Sequence, residues 1–172
     1  KMKVLKFGGT SVANSKSLNK VLEIIKNQND SIVVVVSALG GVTNLLMEML
    51  AMAESGKDNF KSNLSKIEKL HLEPIKNCIP IQNQSGIISF LKKHLNELES
   101  RIDAIFLLEE VTKKNNALVA AYGEILSSNI IHEIFKYNQI DSELKDAREL
   151  IQTSTHNGRE IVNENLTDQQ IK

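Results

Sequence analysis

The sequence has no tryptophan, one cysteine and two prolines, and aromatic residues make up only 4% of it. The lone cysteine, Cys78, excludes an internal disulfide and a cysteine-based zinc cluster, which suits a reducing cytoplasm. So few aromatics offer no stacking platform for single-stranded nucleic acid. No sign of charge prevails: Lys+Arg and Asp+Glu number 21 each, so no global field draws the chain to nucleic acid or an anionic membrane. No apolar run approaches the roughly 18 residues of a membrane span. Lys3 and Lys6 interrupt the only early apolar segment, so no signal peptide is expected, and Met2 reads as the natural start. His71, His94, His132 and His156 share no metal-ligand spacing and join no Ser–His–Asp grouping. Metal-dependent and hydrolytic chemistry therefore have no support, and no protein-held metal is expected.

What is present is an ordinary globular composition, 41% apolar and 24% charged over 172 residues, enough for one core and too little for two. Residues 4–7 read as a short strand. From Asn14 or Ser15 onward Leu18, Val21, Leu22 and Ile25 have helical spacing, with Ser15 or Ser17 available as the cap. Ile32-Val33-Val34-Val35-Val36 follows, five β-branched residues without alternation, the pattern of a strand buried on both faces. Strand, helix and strand form a right-handed βαβ unit with parallel strands.

Each strand runs into a small-residue loop. Lys6-Phe7-Gly8-Gly9-Thr10-Ser11 follows the first and Ser37-Ala38-Leu39-Gly40-Gly41 the second, with the helical pattern Val42, Leu45, Leu46, Met49, Leu50 behind it. Glycines let backbone N–H groups line a loop, and a helix start adds positive potential, which together suit a phosphate. Parallel strands bring both loops to one carboxyl edge, where open α/β folds bind ligands. The order is neither a Walker loop nor Gly-x-Gly-x-x-Gly. A glycine turn whose lysine protects an edge strand is the competing structural reading of the first loop. Hydroxyls such as Ser37 and Thr43 near helix starts are, one by one, more often caps than ligands.

The middle of the chain reads as helix, with a turn at residues 54–57, an apolar stripe at Phe60, Leu64, Ile67 and Leu70, and an irregular connection between Pro74 and Pro80. Ser85 caps a helix carrying Ile88, Leu91, Leu95 and Leu98, with a break expected near Ser100 and a shorter helix after it. Residues 54–114 thus look like a helical insertion or lid. Residues 113–116 break the pattern, and a stronger helix runs to about Tyr137. On it Glu124 is surrounded at helical spacing by Ala117, Ala120, Ala121, Ser127 and Ser128, a face that suits a narrow polar site better than open solvent. Residues 140–144 suggest a third strand, followed by Asp146-Ala147-Arg148 and a loop over residues 153–158. So few strands suggest part of a domain.

Lys6-Phe7-Gly8-Gly9-Thr10-Ser11-Val12-Ala13 resembles the opening signature of aspartate kinases. Val34-Val35-Val36-Ser37-Ala38 with Thr43-Asn44-Leu45-Leu46 is similar to their second loop, and Gly123-Glu124 and Asp146-Ala147-Arg148 match two later stations in order. The first stretch most resembles the bifunctional aspartate kinase–homoserine dehydrogenases. The resemblance implies an α/β fold of the amino-acid-kinase type, a three-layer αβα sandwich with a mainly parallel sheet, here incomplete and helix-rich. It implies transfer of the ATP γ-phosphoryl group, with Mg2+, to the β-carboxylate of L-aspartate. The product is 4-phospho-L-aspartate, in the first step of lysine, threonine, methionine and isoleucine synthesis, made by a homo-oligomeric enzyme. Carried over by position, Lys6 neutralises charge on the transferring phosphoryl, Gly8 and Gly9 cradle it, and Thr10 and Ser11 support the loop. Ser37, Thr43 and Glu124 hold aspartate, Glu124 at its α-ammonium. The later Gly-Arg-Gly/Asn-Gly-Ser-Asp motif of the family is missing from the sequence, so the chain by itself is expected to be inactive. Another amino-acid kinase, of the glutamate 5-kinase or acetylglutamate kinase type, is the alternative enzyme, although Phe7 and Thr10-Ser11 argue against it. A non-catalytic anion-binding or assembly module is the alternative outside enzymes.

Overall fold

The βαβ unit forms as the apolar pattern dictates. In a computed structural model that describes residues 2–156 and 159–171, β1 (Lys3–Phe7) and β2 (Ile32–Val36) pair in parallel, from Lys3 beside Ile32 to Phe7 beside Val36. Helix α1 (Ser15–Lys26) connects them and buries Leu18, Val21, Leu22 and Ile25. Its cap is Asn14, whose side-chain oxygen accepts the Ser17 N–H at 3.0 Å, so the serines expected in that role stand one and three residues inside the helix.

The valine run of β2 differs from expectation. Leu5, Ile32, Val34 and Val36 pack on the helical core, whereas Val33 and Val35 remain 43% and 44% exposed and Val4 66%. β-branched residues are suited to burial on both faces, but the helices of this unit cover only one.

Helices α2 (Val42–Glu54), α3 (Lys61–Cys78), α4 (Ser85–Leu108) and α5 (Lys113–Tyr137) join α1 in building that core. They pack on one another around Leu46, Met49, Ile67, Leu98, Leu126 and Ile130, all fully buried. Pro74 lies inside α3 instead of starting an irregular connection. It removes the N–H that would reach the Leu70 carbonyl, at a cost of about 3 kcal/mol in an open helix. Burial of Pro74 and of the neighbouring Ile75 offsets that loss. Pro80 leads into a single 3-10 turn, Ile81–Asn83.

No break occurs at Ser100. Its hydroxyl donates to the Asn96 carbonyl one turn back at 3.0 Å, and α4 continues to Leu108. Residues 113–116 likewise do not interrupt a helix; they begin one, capped by Thr112, whose Oγ1 accepts the Asn115 N–H at 3.1 Å. Their polarity reflects a solvated first turn.

The third strand expected over residues 140–144 is absent. Gln139 adopts φ 60°, the Ile140 N–H reaches the Phe135 carbonyl at 3.0 Å and the Gln139 N–H reaches that of Lys136 at 3.2 Å. This is a Schellman closure of α5, with Ile140 packed on the core. Apolar character at Ile140 therefore ends a helix instead of opening a strand.

One of the two units of the chain spans Lys1–Ser142 and holds all of the above. The other, Glu143–Lys172, contains the short helix α6 (Ala147–Leu150), the antiparallel strands β3 (Thr153–His156) and β4 (Arg159–Val162), and α7 (Glu164–Ile171). Most of the expected loop over residues 153–158 is therefore strand, and its last two positions lie outside the described residues. Gln152 and Thr167 join this unit internally through the Gln152 N–H and the Thr167 hydroxyl, 3.0 Å apart. Among the described residues no helix is long and apolar enough to cross a membrane.

Candidate functional site

The two glycine loops meet at the carboxyl edge of the parallel pair. A Cβ on Gly9 would lie 3.1 Å from the Ala38 carbonyl oxygen and 3.5 Å from the Gly40 Cα; one on Gly40 would lie 3.0 Å from the Ala13 Cβ and 3.2 Å from the Gly9 oxygen. Only bare backbone lets the loops approach this closely. In the first loop Ser11 donates its N–H to Gly8 at 2.9 Å and Val12 to Gly9 at 3.3 Å. The N–H groups of Gly8, Gly9 and Thr10 take no part in that turn. The Lys6 side chain is exposed and curls over the loop, its Nζ 3.5 Å from where a Gly8 Cβ would stand, and among the described residues it has no ion-pair partner. A cation, free donors and a tight turn are the ingredients of an anion seat.

Helix α5 closes the other side. A Cβ on Gly123 would stand 2.7 Å from the Ala38 Cβ, inside any permitted contact, with Leu46 and Val42 just beyond at 3.6 and 3.7 Å. Glycine at this position lets α5 lie against the second loop. The next residue, Glu124, then accepts the Ala38 N–H on Oε1 at 3.3 Å, and buried Ser127 donates its hydroxyl to the Ser37 carbonyl at 2.7 Å. Glu124 is exposed, where its small-residue surroundings suggested a narrow site. Its second carboxylate oxygen makes no bond to the described residues.

Ser37 and Thr43 are not caps. Helix α2 starts from Gly41 with no side-chain cap bond, and among the described residues neither hydroxyl has a hydrogen-bond partner. The same is true of the Thr10 and Ser11 hydroxyls. Val42 packs at Gly123, so Thr43 and Glu124, next to them in sequence, flank one contact. The structure thus gathers Lys6, Gly8, Gly9, Thr10, Ser11, Ser37, Thr43 and Glu124 around the ends of β1 and β2. Asp146 and Arg148 lie in the other unit, where Arg148 pairs with Asp146 and holds its carboxyl below the usual carboxylate range. Among the described residues no group of three or more His, Cys, Asp or Glu gathers to hold a metal ion.

Sequence reading placed Gly40 in the second loop without giving it a role of its own, and missed Ser127 and Glu73 as supports of the site. Gly40 carried a signal, as one of a glycine pair after a strand. Ser127 appeared only as a small neighbour of Glu124, and Glu73 had no signal: its oxygens accept the Ser15 N–H at 2.8 Å and the Ser15 hydroxyl at 2.6 Å across 58 residues.

The profile of the amino acid kinase family matches residues 1–171. The chain belongs to the amino acid kinase family. Within that family, it is 35% identical over 146 residues to the bifunctional aspartokinase/homoserine dehydrogenase of Buchnera aphidicola, covering 78% of this chain and 17% of that protein. It is 32% identical over 152 residues to the aspartokinase of Chlamydia muridarum, covering 88% of this chain and 31% of the relative. Among solved structures, E. coli aspartokinase III in complex with aspartate and ADP superposes with a TM-score of 0.86 at 23% identity, covering 99% of this chain and 36% of that one. This amino-acid-kinase chain therefore has the aspartokinase fold and spans a sixth to about a third of the length of the relatives it matches.

Proposed function

We propose that the chain carries the phosphate and amino-acid side of an aspartate kinase cleft. The observation that supports this most directly is the stacking of the Gly8–Gly9 loop on the Ala38–Gly40 loop, with Lys6, unpaired among the described residues, on one flank and Glu124 on the other. In this reading the full enzyme transfers the γ-phosphoryl group of ATP to the β-carboxylate of L-aspartate. A carboxylate oxygen bonds to the γ-phosphorus, the bond from that phosphorus to the bridging oxygen breaks, and ADP leaves with the electron pair. The work of the protein is positioning and charge neutralisation. Lys6 supplies a point charge to the transferring group, the N–H groups of Gly8, Gly9 and Thr10 cradle it, and Ser11 stiffens the turn. Ser37 and Thr43 offer partnerless hydroxyls to aspartate, and the free Glu124 oxygen takes its α-ammonium.

Magnesium would arrive on the nucleotide phosphates and would offset charge on the transferring group. The aspartate and ADP bound by the E. coli neighbour support this choice of substrates. A cytoplasmic, homo-oligomeric parent enzyme rests on the lone Cys78 and on the resemblance, respectively. Residues 54–114 are read as a helical insertion that buttresses the cleft through α3 and α4.

Steady-state kinetics of the full-length enzyme test the reading. Lys6→Ala is expected to lower turnover about 100-fold, the scale of losing one preorganised charge at the transition state, with the melting temperature unchanged. Glu124→Ala is expected to raise the aspartate KM about 10-fold with the ATP KM nearly intact. Unchanged turnover removes Lys6 from the mechanism, and an effect of Glu124→Ala confined to ATP overturns its assignment.

A further inference from the structure

Helix α1 begins where the first glycine loop ends, and its first turn contains no acidic residue. A helix start leaves N–H groups and the positive end of the dipole open to an anion. Here the anion comes from a different element. Glu73, on α3, sets Oε2 2.8 Å from the Ser15 backbone nitrogen and Oε1 2.6 Å from the Ser15 hydroxyl. Asn77, one turn along α3, donates its amide to the same Oε1 at 2.9 Å and holds the carboxylate in place. The cap residue Asn14 serves Ser17, so two donors of the first turn are satisfied by separate side chains.

We infer that Glu73 is a positioning residue for the phosphate loop. It fastens the loop's exit to α3 and, by filling the start of α1, directs a phosphate to Lys6 and residues 8–11. The inference rests on the kinase reading above. Residues 8–14 hang between two fixed points, β1 at one end and Ser15 at the other. Between them the turns at Gly8 and Gly9 and the fully buried Val12 leave little slack. A shift of Ser15 is therefore passed to the N–H groups of Gly8, Gly9 and Thr10. A phosphate placed at the start of α1 would compete with the Glu73 carboxylate for the same Ser15 N–H, and two like charges that close repel. At the Lys6 end it meets a cation instead. The two-pronged bond also ties the helices of residues 54–114 to the cleft, which gives them a part in substrate placement without touching substrate.

The test compares Glu73→Ala, Glu73→Gln and Ser15→Ala in the full-length enzyme, with amide hydrogen exchange and kinetics read on each. Glu73→Ala should speed exchange over residues 8–17 while leaving β2 and α2 unchanged. It should raise the ATP KM about 5-fold and move the aspartate KM less than about 2-fold. Glu73→Gln, which keeps an acceptor for Ser15, should recover part of both effects, and Ser15→Ala combined with Glu73→Ala should add little to Glu73→Ala alone. Unchanged exchange at residues 8–17 overturns the clamp. Faster exchange with both KM values unmoved, or moved equally, overturns the link to phosphate placement. A wild-type enzyme that turns over no ATP with aspartate overturns the kinase reading and the phosphate role, while exchange still decides the clamp.

Discussion

The two glycine loops look alike in sequence and are held in different ways. The first, residues 8–14, is mostly half-buried with only Val12 in the core, and the carboxylate of Glu73 fastens its exit through Ser15. The second, residues 37–41, buries Ala38 and Leu39 almost completely, and α5 is pressed against it at Gly123, with Ser127 bonded to the Ser37 carbonyl. One loop hangs from a charged hydrogen bond and the other is wedged by packing. A charge-assisted bond is lost with its single acceptor, whereas close packing responds to volume. The loop after β1 thus depends on one side chain, and the loop after β2 on the fit of a whole helix.

That contrast can be broken most severely at Gly123. Gly123→Leu drives a side chain into Ala38, Leu46 and Val42 and should destabilise the fold by about 3 kcal/mol or more, read as a lower midpoint in denaturant unfolding. An unchanged midpoint would mean that α5 does not wedge the second loop.

Acid probes the helix that anchors the first loop. His71 sits fully buried on α3, two residues before Glu73. Its Nδ1–H donates to the Ile67 carbonyl at 2.7 Å, and Nε2 has no partner among the described residues, so a proton there would be an unpaired charge in an apolar core. Burial lowers its pKa from 6.5 to about 4, and the Ile67 bond acts in the opposite direction. Between those values the unfolded chain binds the proton and the folded chain does not, so stability falls as pH drops through the window and levels off below it. The loss approaches about 3 kcal/mol. His71→Leu should flatten that segment of the pH–stability curve, and a curve of the same slope in the variant refutes the assignment.

Smaller effects sharpen the comparison. Ser127→Ala leaves the Ser37 carbonyl without its donor and should lower stability by about 1.5 kcal/mol, measured by urea unfolding. Asn14→Ala, which removes the cap of α1, should lower it by about 1 kcal/mol, with faster amide exchange confined to the start of that helix. A larger loss for Asn14→Ala than for Ser127→Ala would reverse the ranking of the two loops.

Much of the site could be read in advance because its signals are local. β1, β2 and the glycine pairs behind them announce themselves through β-branched runs and small residues, and parallel pairing then brings Gly9 and Gly40 together. The misreadings share one cause. Pro74, Ser100 and residues 113–116 carry unfavourable or polar character that tertiary burial, a back-bonded hydroxyl and a threonine cap absorb within helices. Ile140 looked like a strand because an apolar residue after a polar turn does not reveal that it closes a Schellman motif.

The sequence by itself determined that two parallel strands would deliver two glycine loops and a lysine to one edge, since turn chemistry and residue periodicity act over a few neighbours. Only the tertiary structure decided what holds each loop: Glu73 reaching Ser15 across 58 residues, and Gly123 admitting α5 to within contact of Ala38. Those choices depend on how helices cross and how closely their backbones approach. Such distances are set by the packed volume of the whole core, which no short stretch of residues encodes.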